Sequence, residues 1–418
     1  MTEWPSKHLG DLINVKHGFA FKGEYFSSEG DKLVLKPGNF PIGGGLRLRP
    51  GKDDYYTGSY PSEFELSPGD LLVVMTDLTQ SAPILGSPAF VPEQPAMLHN
   101  QRLGLVTVKP DADLDERFLY YVLLSDTTRR QIRATATGAT VRHTAPERFY
   151  NVSVAVPEIQ VQQVIGAILR TIDDLIEVNR RRIEVLHEIA LAVHREWFVR
   201  FRFPGHERVA LIESDGGTVP EGWESVPLGQ IAELTMGQSP SSEHYNVAGV
   251  GMPFHQGVTD FGDHLPITRK WCSAPGRVAR EGDVLVSVRA PVGRINIADV
   301  DLTIGRGLAA VRAKDGRQAL LLGHLRHAFA IEDSMGGGTI YKAIGKQDLA
   351  GVRVLKASER VAMDAEATFG PNLATIRSLT QSNRHLRAIR DLLLPKLVTG
   401  QIDVSSLDVD ALVEAPVA

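Results

Sequence analysis

The chain has 418 residues and a mass of 45.7 kDa, more than one domain of ordinary size, roughly 150 residues, would hold. Hydrophobic residues make up 43% and charged residues 23%, which excludes fibrous and disordered classes. A formal net charge of −5 argues against a surface basic all over, so any contact with nucleic acid has to be local.

A single cysteine, Cys272, excludes an internal disulfide and a multi-thiolate metal site, and reads as a small buried hydrophobe. The opening residues lack a basic segment followed by an apolar one, and no run of about twenty apolar residues occurs. A soluble, cytoplasmic protein is expected.

In chain order, the elements come twice. Trp4-Pro-Ser-Lys-His-Leu9-Gly10 with Gly18 beyond it returns as Trp223-Glu-Ser-Val-Pro-Leu228-Gly229 with Gly237. Gly69-Asp70-Leu-Leu-Val73 returns as Gly282-Asp283-Val-Leu-Val286, and Gly138-Ala-Thr140-Val141 as Gly337-Gly338-Thr339-Ile340. Thr171-Ile172, Leu175 and Asn179-Arg180 return as Thr375-Ile376, Leu379 and Asn383-Arg384. Four matches in one order, each about two hundred residues apart, make the chain a tandem duplication.

Each half opens on Gly- and Pro-rich stretches around short apolar runs, which predict short strands in a mixed sheet entered by Gly-Asp turns. Each half then turns helical. Ile165, Ile168, Ile172, Leu175, Leu186, Ile189 and Val193 recur at the three-four spacing of a coiled-coil seam, and Ile376, Leu379, Leu386, Leu393 and Leu397 repeat it. Gly370-Pro371 predicts a break or kink in the second helix, making it the shorter or the bent one. Asn179 and Asn383 fall on the same seam position. Either the helices pack antiparallel with the two amides close together, or each amide turns to solvent at the seam's edge. Arg180-Arg181-Arg182 would spread around a helix, a solvated or partner-facing surface more often than a phosphate grip.

Catalytic motifs are not recognisable. Gly345-Lys346 continues with Gln347, so there is no phosphate loop; no dinucleotide or methyl-donor glycine motif, no base-flipping Asn/Asp-Pro-Pro-aromatic segment and no metal-ligand spacing occurs. Charge, in contrast, is uneven. Residues 129–148 hold Arg129, Arg130, Arg133, Arg142 and Arg148 against Glu147; residues 269–294 hold Arg269, Lys270, Arg277, Arg280, Arg289 and Arg294 against Glu281 and Asp283. One basic patch per repeat suits phosphate, although salt-bridged surface arginines would give the same count. Asp403, Asp408, Asp410 and Glu414 make an acidic tail.

The chain resembles the specificity subunit of Type I restriction-modification systems over nearly its whole length. Leu186-His-Glu-Ile…Arg195-Glu-Trp197-Phe198-Val199-Arg-Phe201…Phe203-Pro204-Gly205-His206 resembles the end of that family's first conserved helix, and Leu392-Leu-Leu-Pro395-Lys396-Leu397…Gly400-Gln-Ile402 the end of its second. Val156-Pro157-Glu158…Gln162-Gln163 is similar to the entry into the first helix. Phe19-Ala-Phe21-Lys22-Gly23 and Gly305-Arg306-Gly307-Leu308 are similar to segments of its target recognition domains. Leu355-Lys356-Ala357-Ser358 departs from the pattern.

The resemblance implies an α+β fold: target recognition domains at 1–155 and 204–355, and conserved spacer helices at 156–203 and 356–402 packed as an antiparallel coiled coil in a pseudo-twofold repeat. Residues 403–418 form the acidic tail. It implies that each domain reads half of a bipartite, asymmetric double-stranded DNA target, that the helices set the spacing, and that they dock two copies of an adenine-specific DNA methyltransferase subunit. Two copies of a restriction/translocase subunit would complete the hetero-oligomer. About thirty helical residues at ~1.5 Å each give on the order of 45 Å, more than one turn of DNA. The chain would have no catalytic site, metal or cofactor of its own; S-adenosylmethionine, ATP and Mg²⁺ would belong to the partners.

From the chemistry of base readout, the candidate DNA-binding residues are Lys22, Arg47, Arg49, Asn100, Arg102, Thr140, Arg142 and His143 in the first half. Gln238, His255, Gln256, Arg289, Arg294, Arg306, Thr339, Tyr341 and Lys342 are those of the second. Two rival classes are a nuclease or methyltransferase acting alone, for which no site is recognisable, and a non-DNA assembly scaffold built on the helix pair.

Overall fold

The computed structural model describes residues 4–214, 217–334 and 343–407. Two compact units form: the described residues up to Ile176 with those from His385 onward, and Glu177–Arg384.

The first unit is built on two sheets. A four-stranded antiparallel sheet runs in the order Ile13–His17, Leu103–Val108, Leu71–Val74, Pro88–Phe90. A five-stranded sheet runs Phe26–Ser27, Tyr55–Tyr56, Leu33–Leu35, Met97–His99, Glu65–Leu66, with one parallel pair in which His99 faces Leu35. The apolar run after Asp70 is explained by this layering. Alternate side chains of a strand point to opposite faces. Leu71 and Val73 therefore pack against the helices Glu116–Leu124 and Asp126–Thr135 with Phe118, Leu119, Ile132 and Phe149, while Leu72 and Val74 pack against Leu33, Leu35 and Met97. A strand buried on both faces has no polar positions to alternate with.

The second unit repeats this topology strand for strand. Its four-stranded sheet is Ala232–Met236, Leu308–Ala313, Val284–Ser287, Ile295–Ile297, and its five-stranded sheet is Tyr245–Asn246, Trp271–Cys272, Met252–His255, Leu302–Ile304, Val278–Ala279. The single parallel pair recurs, with His255 facing Ile304. Val284 and Val286 again face one core and Leu285 the other. Cys272 is fully buried.

Two long helices, Ile159–Phe198 and Glu359–Leu397, contribute to both units. In the first unit Ile165 and Leu169 share a core with Leu394 and Leu397, and Asp173 meets Arg390. In the second, Asn179 meets Asn383, and Val193, Trp197 and Phe198 pack with Val361, Ala362, Ala365 and Phe369. Numbers rise along one helix as they fall along the other, so the packing is antiparallel in each unit. The expected break at Gly370-Pro371 does not occur: the second helix runs unbroken through Pro371, 39 residues against 40 in the first. Proline removes one N–H, a cost of about 3 kcal/mol. The cores around Phe369 and Leu373 hold the helix on either side of it.

The paired opening tryptophans dock at helix ends. Trp223 is buried and stacks on Phe203 beside Phe198 and Phe201, just past the end of the first helix. Trp4 lies over Gly400 just past the end of the second, where an added Cβ would stand 3.0 Å from the indole.

Candidate DNA interface

In the first unit the polar candidates gather around one turn. Asn100, Gln101, Arg102 and Leu103 link the strands Met97–His99 and Leu103–Val108, and Leu103 N closes the turn on Asn100 O at 2.9 Å. Arg102 O accepts from Met75 N at 2.9 Å, and the adjoining Thr76–Asp77 strand pairs with Arg142–His143. His143 Nδ1 stands 3.0 Å from Thr76 Oγ1, and its ring lies 6.1 Å from that of His17. Arg102, Arg142 and His143 are thus brought together, with Thr140 exposed on the loop that leads into Arg142. Lys22 is exposed at the start of the short turn Gly23–Tyr25. Arg47 is exposed on a separate loop tied to Asn39, and Arg49 is half-buried against Asp53.

The second unit builds the same constellation. Gly305-Arg306-Gly307-Leu308 forms the turn; Gln238 N donates to Ile304 O at 3.0 Å, Gly307 N to Gln256 O at 3.1 Å and Arg306 N to Ser239 Oγ at 3.2 Å. Arg289 bridges to Ala343, in the place held by Thr76 and His143 in the first unit. Gln238, Gln256, Arg289 and Arg306 are therefore neighbours and exposed, whereas exposed Arg294 belongs to the next hairpin, where its N–H donates to Ser287 Oγ. Thr339, Tyr341 and Lys342, with the Gly337-Gly338-Thr339-Ile340 copy and the tail beyond 407, lie outside the described residues.

Several candidates sit where their side chains do internal work. His255 is fully buried, with Nε2 3.1 Å from Thr268 Oγ1, and burial lowers its pKa. Asn100 is 8% exposed and its Oδ1 accepts from Arg102 N at 3.0 Å, shaping the turn rather than facing outward. Arg142 donates to the carbonyls of Gly138 and Arg133. The basic count of 129–148 is likewise smaller at the surface than in the sequence. Arg129 is buried, donates to Ile42 O at 2.6 Å and to Pro83 O, and has its pKa lowered to about 10 by burial.

Electrostatics sharpen the division. Burial lowers His99 to about 4, and burial with His143 nearby lowers His17, so the rings under the first turn are neutral at neutral pH. Positive charge at this end comes from arginine and lysine. On the helices, Arg180 pairs with Glu177 and Glu184, and Arg181 with Glu177, on the solvent side. Asn179 Nδ2 donates to Asn383 Oδ1 at 2.9 Å with both residues buried. Among the described residues no group of three or more His, Cys, Asp or Glu is placed to hold a metal ion, and no helix is long and apolar enough to cross a membrane.

Two units of one topology, each with a polar turn between matched strands and each built on stretches of the long helices, define a duplicated fold. Residues 1–188 match the family model of the Type I restriction modification DNA specificity domain. The chain is 28% identical over 320 residues to a putative type I restriction enzyme specificity subunit, MjaX, of Methanocaldococcus jannaschii, covering 74% of this chain and 73% of that one. It is 21% identical over 478 residues to the HindI specificity subunit of Haemophilus influenzae, covering 96% and 100%. The crystal structure of a Type I restriction-modification system S subunit from M. genitalium shares the fold, with a TM-score of 0.64 at 15% identity over 94% of this chain and 96% of that one. Residues 1–188 therefore carry a Type I restriction modification DNA specificity domain, and over most of its length the chain is similar to the specificity subunits of Type I restriction-modification systems.

Proposed function

We propose that each head, 1–155 and 204–355, reads one half of a bipartite, asymmetric DNA target, and that the helices within 156–203 and 356–402 set the spacing and dock two methyltransferase subunits. The observation that carries this is the strand-for-strand repetition of the head with different side chains on the same turn. One geometry with two chemistries suits two unlike half-sites. The helix surfaces keep apolar side chains outward, Val185 and Ile189 in the second unit and Ile389 and Leu392 in the first, as a docking face requires; Ile189, expected in the seam from its spacing, is exposed instead. Methylation and cleavage then belong to methyltransferase and restriction/translocase partners, which supply S-adenosylmethionine, ATP and Mg²⁺ chemistry.

Exchanging residues 1–155 for the matching segment of a relative tests this reading. Methylation mapping in a host carrying the system is expected to show one half-site changed and the other kept, and DNA binding by the complex is expected to fall steeply with salt. A target altered in both halves overturns the two-head reading. Binding that is blind to both sequence and salt marks an assembly scaffold instead.

A further inference from the structure

The strand registers allow the two turns to be matched residue by residue, which the drifting spacing of the repeat in the sequence does not. In the first unit Phe19 N donates to His99 O at 2.8 Å, Met75 N to Arg102 O at 2.9 Å and Leu103 N to Asn100 O at 2.9 Å. In the second, Gln238 N donates to Ile304 O at 3.0 Å, Val288 N to Gly307 O at 2.9 Å and Leu308 N to Gly305 O at 3.0 Å. Because His99 and Ile304 also hold the same place in the parallel pairs, Asn100-Gln101-Arg102-Leu103 superposes in role on Gly305-Arg306-Gly307-Leu308. Gln101 therefore matches Arg306.

Both turns rest on a rigid seat. A Cβ on Gly18 would stand 2.3 Å from Asn100 O, and one on Gly237 2.1 Å from Gly305 O, so backbone lies directly on backbone. The first and third positions do not offer a shared reading group: Asn100 is turned inward onto Arg102 N, and Gly307 has no side chain. Only the second position carries a long polar side chain in both heads. Gln101 and Arg306 are exposed, and neither side chain makes a hydrogen bond or ion pair among the described residues.

We propose that Gln101 and Arg306 are matched specificity-determining residues, each reading one base pair of its own head's half-site. The inference rests on the half-site reading given above. The amide of Gln101 offers a donor NH2 group and an acceptor oxygen side by side, the complement of adenine N7 and N6; the guanidinium of Arg306 offers donors only, the complement of guanine O6 and N7. A rigid turn presents either group without ordering a loop, and the loss of conformational freedom on binding is small.

The test selects bound sequences from DNA with randomised half-sites, using the full chain in complex with its methyltransferase partner. Gln101→Arg is expected to move one base pair of the first half-site from A·T to G·C by about tenfold or more, leaving the second half-site unchanged. Arg306→Gln is expected to do the reverse in the second half-site alone. Gln101→Ala is expected to relax that single position, and unchanged melting temperatures show that the exposed turn still folds. Unaltered selection by all three variants overturns the assignment, and so does a uniform loss of affinity without a change of preference, the signature of a phosphate contact. If the parent complex selects no sequence at all, the half-site reading itself has failed, a result distinct from unaltered selection by the variants.

Discussion

Each unit seats its head on its own stretch of antiparallel helices, and the two joints differ in chemistry. In the first, Gln162 Oε1 accepts from Asp115 N at 2.9 Å, and Asp173 accepts from the Tyr121 hydroxyl and from Arg390, both at 2.9 Å. In the second, Glu366 accepts from Ala319 N and Leu320 N at 3.2 and 2.8 Å, but histidines occupy the joint beyond. His194 Nε2 lies 3.2 Å from His324 Nδ1, and the His194 ring stacks on Phe198 near Phe369. A duplicated backbone keeps its hydrogen-bonding geometry, while the joint is free to become ionic in one copy and neutral and aromatic in the other, provided that each buried polar group keeps a partner.

Whether the copies are independent is decided most sharply at the glycines. Gly18→Ala drives a Cβ into the Asn100 carbonyl and is expected to cost about 3 kcal/mol, since backbone cannot give way as a side chain does. Calorimetry is expected to show the first unit melting early with the second unmoved, and Gly237→Ala the converse. Equal loss in both units would show that they unfold as one.

The ionic joint comes next. Burial alone would lower the Arg390 guanidinium, but Asp173 and Asp391 outweigh it and raise its pKa. Asp173→Asn removes the carboxylate from a guanidinium that is 16% exposed, and is expected to destabilise the first unit by about 2 kcal/mol in urea unfolding. Trp4 reports on that unit; Trp197, Trp223 and Trp271 report on the other.

The aromatic joint is sensitive to pH. Burial, with His327 nearby, lowers His194 to about 4, and burial, with His194 and His327, lowers His324 to about 3, against about 6.5 in the unfolded chain. The unfolded chain therefore takes up protons first as pH falls. Stability of the second unit is lost from about pH 6.5 downward, roughly 1–2 kcal/mol for each ring by pH 5. Substituting both residues with Gln is expected to reduce this slope, the remainder belonging to His187, which burial also lowers to about 4. The first unit has only His99 among its described residues lowered as far by burial, so its reporter should shift less over the same range.

Much of this contrast was legible before the fold was known. The doubly buried strands are short continuous apolar runs between turn residues and the seam is a pattern of alternating three and four, and duplication presented each twice. Outward and inward were not legible, because they depend on contacts remote in sequence. Arg129 looks like one more surface arginine until the carbonyls of Ile42 and Pro83 close around it. Asn100 and Gln101 are adjacent amides, and only the turn decides that the first is spent on Arg102 N and the second faces out. Pro371 misled for the converse reason: a local rule was overruled by the packing on both sides of it.

The smallest expected effect concerns the seam of the second unit, where the amides of Asn179 and Asn383 satisfy each other in a buried setting. Asn383→Leu alone leaves the Asn179 amide without this partner and is expected to cost about 1 kcal/mol. Replacing both with Leu exchanges a polar pair for apolar packing, and is expected to recover the loss or exceed it. Stability is then the wrong measure of what the pair does. A buried amide pair penalises every alignment in which the two do not meet, whereas a leucine seam accepts a slip. If the helices set the distance between half-sites, the double variant should melt no lower than the parent yet methylate targets of more than one gap length. A gap as narrow as the parent's would show that the heads and helix ends hold the register without the asparagines.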